Sequence, residues 1–315
     1  MVVARPESYR VSILLMVDSQ RERGARALAS LLAQPGIEDC ELLLADFGAD
    51  RFPPLPGSDH PAVVTLPLRR GWSRGPLIAY WATIARAPIL ATIEEHALAG
   101  DGWLATIQEA FTDERLAGLG GPPANANPHW SFSRLVHLLL YRGLLGLTQP
   151  AERALLPGHN STYRRSALLA LGPALADLVE AESLLNEVLH RQGWRLRLDP
   201  RLRWAHQNET ALGTLCRGLF LWNRVCGGLA PRALGWGWGK RLLKLLRLPL
   251  SPWVRVVRAL LAARGEERWL VLRFWALVLV IEYVAVSGQA LGYLRGPSSS
   301  GRQLFDYELN APRGD

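Results

Sequence analysis

The 315-residue chain contains only three cysteines, and they are far apart in the sequence. Cys40, Cys216 and Cys226 form no C-x-x-C pair, and their number is odd. This pattern argues against a disulfide framework and against a zinc ribbon, because both need closely spaced or paired cysteines. We therefore expect a protein of a reducing compartment.

Long uncharged apolar runs are also absent. The N-terminal residues MVVARPESYR include no apolar stretch long enough for a signal peptide. The most apolar stretch, residues 269–294, is interrupted by Arg273 and Glu282, so it falls short of the ~18 uncharged residues expected of a spanning helix. We expect a cytoplasmic catalytic face, and whether residues 269–294 span or lie on a membrane stays open.

Basic charge is concentrated in the C-terminal third. The formal net charge is +8, and residues 211–295 hold 13 Lys or Arg against 3 Glu. Six of the 12 tryptophans lie in the same region, among Leu and Val at helical spacing. Basic amphipathic helices with Trp are typical of a membrane interface, although a subdomain buried against the catalytic domain or a dimer partner fits too. Nucleic-acid binding is disfavoured, because the basic residues sit among aliphatic stretches.

The first 120 residues alternate apolar runs with helical stretches. Runs at 11–17, 40–50, 62–68 and 88–93 read as strands, and helices are expected at 21–34, 76–87 and 102–111. Strands that are apolar throughout predict a mostly parallel α/β sheet with helices on both faces. Ligands bind beyond the carboxyl ends of such strands, where Asp46 and the Glu94-Glu95-His96 cluster both fall.

The middle of the chain adds a helix and a hairpin. Residues 176–193 predict a helix ended by Gly193, and WRLRLDPRLRWAHQN after it predicts a hairpin. Before the helix, PGHNSTYRR at 157–165 packs polar groups into a glycine turn.

Five of these segments, in this order, resemble the inverting nucleotide-sugar glycosyltransferases of family 2, which have the GT-A fold. They are VSILLMV, ADFGAD, RRGWSRG, the acidic cluster after the fourth strand, and LPGHNSTYRRSAL with the following EAESLLNEVLHRQG and WAHQN. The resemblance covers about residues 10–210. It implies a catalytic domain over 1–210, followed at 211–315 by a basic, hydrophobic helical region like the membrane-associated tails of bacterial members.

The resemblance implies a metal site. Glu94-Glu95-His96 reads as E-x-H and looks like the D-x-H variant of polypeptide N-acetylgalactosaminyltransferases, which share a metal with a later histidine; His206 matches that position. A carboxylate and imidazoles suit Mn²⁺ or Mg²⁺, and a metal on the diphosphate neutralises the leaving group. Whether Glu94 or Glu95 is the ligand stays open, and the other could bind the ribose. The alternative is a capping glutamate beside a surface histidine.

The resemblance also implies nucleotide contacts. Asp46 matches the residue that hydrogen-bonds the uracil edge, while Arg70, Gly71 and Arg74 would pass near the diphosphate, although solvated surface arginines are as common. The usual ARN triplet is absent, and the first-strand PTYN becomes MVDS, which includes Val17. In these two segments the sequence departs from the family's pattern of nucleotide contacts.

An inverting transfer needs a base at the acceptor hydroxyl. Counting back from Gly193 places Glu182 at the family's base position, with Glu180 as its rival. His159, Asn160 and Arg164 are candidates for lining the acceptor or the phosphates, or for satisfying local backbone groups.

The sequence thus predicts a metal-dependent inverting transferase at the cytoplasmic face of the inner membrane. We expect it to move a sugar, most simply from a UDP-sugar, to a hydroxyl of a lipid-linked or cell-envelope glycan acceptor, with a homo-oligomer as an option. Two alternatives stay open: a membrane scaffold that has lost turnover, and a metallohydrolase built on the Glu and His cluster.

Overall fold

A computed structural model of the chain describes residues 8–158, 160–263 and 265–314. Within them the strands are β1 (Val11–Val17), β2 (Cys40–Asp46), β3 (Val63–Pro67), β4 (Ile89–Glu94), β5 (Ala97–Ala99), β6 (Leu116–Gly120), β7 (Ala124–Asn125), β8 (Ala151–Glu152), β9 (Thr162–Arg164), β10 (Arg195–Leu198) and β11 (Trp204–His206).

The helices in the same residues are α1 (Arg21–Leu32), α2 (Arg74–Ile84), α3 (Trp103–Ala110), α4 (Ser131–Tyr141), α5 (Arg165–Leu169), α6 (Leu175–Glu180), α7 (Glu182–Arg191), α8 (Leu212–Ala233), α9 (Trp238–Arg247), α10 (Ser251–Ala262), α11 (Glu266–Arg273), α12 (Trp275–Arg295) and α13 (Ser300–Asn310). Short 3₁₀ turns lie at Ile37–Asp39, Gly172–Ala174 and Leu248–Leu250.

The large sheet has eight strands in the order β3-β2-β1-β4-β9-β6-β10-β8. Strands β1 to β4 are parallel, and β1 and β2 are buried along their whole length, as the uninterrupted apolar runs predict. Separate apolar cores cover the two faces of this sheet. The predicted α/β class, mostly parallel with helices on both faces, is confirmed.

A small three-stranded sheet, in the order β5-β11-β7, stands beyond the end of β4. In it His206 pairs with Ala97, the residue directly after His96. This pairing brings two histidines that are 110 positions apart to one edge of the molecule.

Two local expectations were wrong, and one strand was not foreseen. Residues 194–208 form no hairpin, because β10 runs parallel to β6 in the large sheet while β11 joins the small one. Strand β9 inserts antiparallel between β4 and β6, and the predicted helix at 176–193 breaks at Ala181, which has φ −125° and ψ 76°. The break separates Glu180 from Glu182 by a change of helix axis.

The C-terminal helices pack on glycines. A Cβ on Gly288 of α12 would lie 2.2 Å from the carbonyl oxygen of Phe220 in α8, so only glycine permits this approach. Among the described residues α12 alone is long and apolar enough to cross a membrane, and 44% of its most apolar window is buried in the protein. By length and composition it is thus a candidate span, and one of its faces packs on α8 while Trp275, Val280 and Tyr283 are exposed.

Candidate active site

The end of β4 places a carboxylate and an imidazole beside a second imidazole. Glu94, His96 and His206 are buried, and their ligand atoms all lie within 4.8 Å of one another. The Nε2 atom of His96 lies 3.2 Å from a Glu94 carboxylate oxygen, and the two imidazole rings are 4.8 Å apart. This is the set of side chains that the E-x-H motif and the later histidine predict.

Neighbouring side chains fix the orientation of these three groups. Nδ1 of His96 lies 3.2 Å from the carboxylate of Glu95, and Nδ1 of His206 lies 3.0 Å from the amide oxygen of Asn208, so each ring turns Nε2 toward the cluster. The Asn160 amide oxygen accepts the backbone N–H of Glu94 at 2.9 Å. Such outer contacts are usual around metal-binding histidines. They place Glu94 in the cluster and give Glu95 the supporting position.

The carboxylates of the cluster stabilise a positive charge beside them, as the pKa of His96 shows. Burial and Arg313 lower the pKa of His96, but the Glu95 and Glu94 carboxylates outweigh them and raise it to about 9. Burial raises the pKa of Glu94, yet the neighbouring His96 and Arg74 charges hold it below its usual value. Burial also keeps the pKa of His206 well below the usual value, so that ring is neutral.

The donor set therefore fits a divalent metal ion. A carboxylate oxygen and two imidazole nitrogens are ligands that Mn²⁺ accepts. Nε2 of His96, buried in the protein, lies 3.2 Å from the Glu94 carboxylate and pairs with it, so a bound metal ion would take the place of the proton between these two atoms.

Arg74 connects this cluster to the expected base. Its guanidinium donates to the Glu182 carboxylate at 2.7 Å and lies 3.6 Å from that of Glu94. Burial raises the pKa of Glu182 to about 7 despite the arginine. Glu182 lines the same cavity as Glu94 and His206, whereas Glu180 accepts the backbone N–H of Gly75 at 2.6 Å and lies outside that cavity.

The expected nucleotide residues lie at the ends of β1 and β2. Val17 is fully buried, and only its backbone reaches the edge. Asp46 is held by both guanidinium nitrogens of Arg21, at 2.7 and 2.9 Å. Arg70 pairs with the buried Asp18 at 2.7 Å, and Gly71 beside it has φ +116°, which favours glycine. Asp46 and Arg70 thus lie near this edge of the sheet, and each already forms an ion pair within the protein.

Arg164 lies away from the cluster and satisfies backbone groups, which is the second of the two roles expected for it. Because β9 runs antiparallel to β4, it points this arginine toward the start of β4, opposite Ile89. There the guanidinium donates to the carbonyls of Phe111, Asp113 and Leu116. Arg164 therefore supports loop backbone at the far end of the sheet. His159 lies outside the described residues.

Helix α13 closes the crevice at the carboxyl ends of β1, β2 and β4. The ring of Phe305 packs on Phe47 with centroids 5.4 Å apart, and the Asn310 side chain bonds Asp18 at 3.1 Å and also the hydroxyl of Ser19. Beside Glu94 and Glu95 a cavity of only about 20 Å³ is left, which holds about one water.

The segment after α13 brings a buried arginine into the site. Arg313 lies 3.1 Å from the Glu209 carboxylate and pairs with Glu308 of α13, whose carboxylate is 3.9 Å from Nε2 of His96. Arg23 donates to the carbonyl of Ala311 and pairs with Glu95. Sequence reasoning missed these groups, because residues 300–314 show no motif and reach the site only through tertiary contacts.

Comparison with solved structures gives the fold. Mannosyltransferase PcManGT from Pyrobaculum calidifontis, in complex with GDP-Man and Mn²⁺, matches with a TM-score of 0.55 and 13% identity over 93% of this chain and 90% of its own. GalNAc-T7 with UDP, GalNAc and Mn²⁺ matches with a TM-score of 0.45 and 14% identity over 62% of this chain and 43% of its own. No family model and no curated protein matches the sequence. The chain has the mixed α/β fold of GT-A glycosyltransferases.

The cluster makes a direct prediction for Mn²⁺ binding. Replacing His96 with alanine removes one of three candidate ligands, so we expect the Mn²⁺ affinity measured by electron paramagnetic resonance to fall at least tenfold. The control is His190→Ala, which changes an exposed histidine at the end of α7. Equal Mn²⁺ affinity in both variants would place the metal elsewhere.

Proposed function

We propose that this protein is a metal-dependent, inverting glycosyltransferase. Its donor is a nucleoside-diphosphate sugar, for which the position of Asp46 favours UDP, and its acceptor is a hydroxyl of a lipid-linked or cell-envelope glycan. The observation that carries the proposal is one cavity lined by Glu94, His206 and Glu182. It unites a metal-binding set with a buried carboxylate tuned to neutral pH, as acid–base chemistry on a hydroxyl requires.

The roles of the side chains follow from their positions. Glu94, His96 and His206 would hold Mn²⁺ or Mg²⁺, and a bound metal supplies a positive charge that stabilises a departing diphosphate. The Glu182 carboxylate takes the proton of the acceptor hydroxyl while the oxygen of that hydroxyl bonds to the anomeric carbon. The bond from that carbon to the diphosphate oxygen breaks, and its electron pair leaves with the diphosphate. Arg74, between Glu182 and Glu94, keeps a second positive charge at this point.

Helix α13 must move for the donor to enter. A nucleotide needs a pocket of about 300 Å³ or more, and the closed crevice beside Glu94 and Glu95 offers about 20 Å³. We therefore expect UDP or GDP with Mn²⁺ to displace residues 300–314 from Asp18 and Phe47.

The test combines nucleotide calorimetry with amide hydrogen exchange. We expect one of UDP and GDP to bind only with Mn²⁺, to lose at least tenfold in affinity in His96→Ala, and to speed exchange in α13 about tenfold while α1 stays protected. Asn310→Ala, which removes the contacts to Asp18, should bind the nucleotide more tightly than the exposed control Gln303→Ala.

Each contrary result has a separate meaning. Nucleotide binding with undisturbed α13 would show that the donor enters elsewhere. Binding of neither nucleotide with any divalent ion would remove the transferase proposal and leave the scaffold alternative.

Glu182 has its own prediction. Because a base must be deprotonated and burial sets its pKa at about 7, the rate should rise with pH through that value and be lost below it. Glu182→Gln should lower kcat by roughly 10²–10⁴-fold and leave nucleotide affinity unchanged. The control is Glu187→Gln, on the exposed side of α7. If Glu180→Gln carries the loss instead, the base assignment is wrong.

The C-terminal helices support a location on the cytoplasmic face of the inner membrane. Large apolar side chains are exposed along α9 to α12, for example Trp238 at 71%, Leu246 at 68% and Trp269 at 73%, among lysines and arginines. Exposed apolar patches of this kind mark membrane or protein contacts, and the basic charge favours anionic lipid.

Vesicle flotation tests this surface. We expect the protein to float with vesicles containing anionic lipid, less so at high salt, and Trp238→Ser with Leu246→Ser to reduce flotation several-fold. Flotation that is indifferent to lipid charge and to both substitutions would leave the patch to a protein partner.

A further inference from the structure

A second opening beside the cluster is a cavity of about 580 Å³. It lies between the end of α4, the loop at 155–158, α8 and α12. Its volume falls within the range of about 300–1,000 Å³ that small-molecule sites span. In contrast to the crevice under α13, it has room for a ligand as it stands.

Most of the cavity wall is hydrocarbon. The apolar lining includes Leu139, Leu140, Leu155, Leu219, Trp222 and Ile281. Leu140 and Leu155 are 39% and 51% exposed, so they border solvent. A wall of this kind offers few hydrogen-bond partners to the hydroxyl groups of a sugar, whereas burial of the CH₂ groups of an alkyl chain against it is favourable.

Charged side chains interrupt this apolar wall in two groups. Glu94, Glu182, His206, Glu209, Glu308 and Arg313 belong to the cluster already described or contact it, and Arg142, Arg255 and Glu282 form a second group. Arg255 of α10 donates to one carboxylate oxygen of Glu282 at 3.0 Å, and Arg142 lies 3.9 Å from the other oxygen. Burial lowers the pKa of Arg142, and Glu282 offsets this effect only in part because Arg255 and Arg258 are also near. The group as a whole carries a net positive charge.

The positive excess of this second group favours an anion beside it. Guanidinium groups bind phosphate oxygens in paired hydrogen bonds, and Arg142 and Arg255 keep further N–H donors although they share one carboxylate and Arg142 also donates to the Leu139 carbonyl. Glu282 therefore both neutralises the arginines and competes with any bound phosphate.

We propose that this cavity binds a lipid phosphate, with the alkyl chain along the leucines and the phosphate between Arg142 and Arg255. The same cavity reaches Glu182, Glu94 and His206. A lipid phosphate that carries a hydroxyl group is thus the acceptor class that the site selects. The acceptor role rests on the proposed function, whereas the binding site does not.

The experiment compares three probes on the full-length protein in phosphatidylcholine nanodiscs, with empty nanodiscs as blank. Decyl phosphate below its micelle concentration should bind on the order of 100-fold more tightly than inorganic phosphate, because its chain is buried. It should also bind at least tenfold more tightly than decanol, because only the phosphate meets the arginines.

Three variants separate this site from a structural role. Arg142→Gln should weaken decyl phosphate binding at least tenfold, while Arg134→Gln, which removes an exposed ion pair with Glu266, should leave it unchanged. Glu282→Gln should tighten binding several-fold, because the competing carboxylate is gone. A purely structural ion pair predicts lower thermal stability for Glu282→Gln and no gain in affinity.

Three results would overturn the inference. Equal binding of decyl phosphate and decanol, or weaker binding in Glu282→Gln, removes the phosphate site; equal binding of decyl phosphate and inorganic phosphate removes the chain site. Nucleotide binding is measured on the same samples. If nucleotide fails to bind and decyl phosphate behaves as expected, the proposed function falls and the lipid site stands; the reverse result removes only the lipid site.

Discussion

The arrangement of the site depends on neutralising the carboxylates that are buried at the carboxyl edge of the sheet. Glu94, Glu95 and Glu182 are all buried there, and an ionised carboxylate in such a place is costly unless a cation meets it. Arg23 and Arg74 supply two positive charges. The same requirement explains why the end of the chain folds back, because Arg313 balances Glu209 and Glu308 beside the cluster.

Of the two openings around the cluster, one is filled by protein and the other is open. On one side α13 fills the crevice at the ends of β1 and β2, and on the other side the cavity next to Glu182 is open. Glu94 lines both openings, and Arg74, which lines the crevice, contacts Glu94 and also Glu182 of the cavity. The donor and the acceptor of the proposed reaction would therefore meet beside Glu94.

The sequence predicted the features that depend on local residue patterns, namely the first strands and the edge where the site lies. Four apolar runs located β1 to β4, and the charged residues after β4 marked the edge where the cluster lies, because a buried strand does not end in Glu94, Glu95 and His96 without a partner. The assignment of His206 to the cluster came from a resemblance. The structure gives the physical reason, because His206 pairs with Ala97, the residue after His96. Sequence could not place Arg164 or Arg313, because their positions depend on an inserted antiparallel strand and on a returning segment with no periodic signal.

The central claim is that Glu94, His96 and His206 hold a metal ion on the donor side of Glu182. Anomalous scattering at the manganese edge, from a crystal grown with Mn²⁺ and the bound nucleotide, tests this most directly. The account predicts one strong peak about 2.0–2.3 Å from the Glu94 carboxylate and from Nε2 of both histidines, with the diphosphate on its open side and α13 displaced from Phe47. A peak elsewhere, or a nucleotide bound far from the cluster with α13 in place, would contradict it.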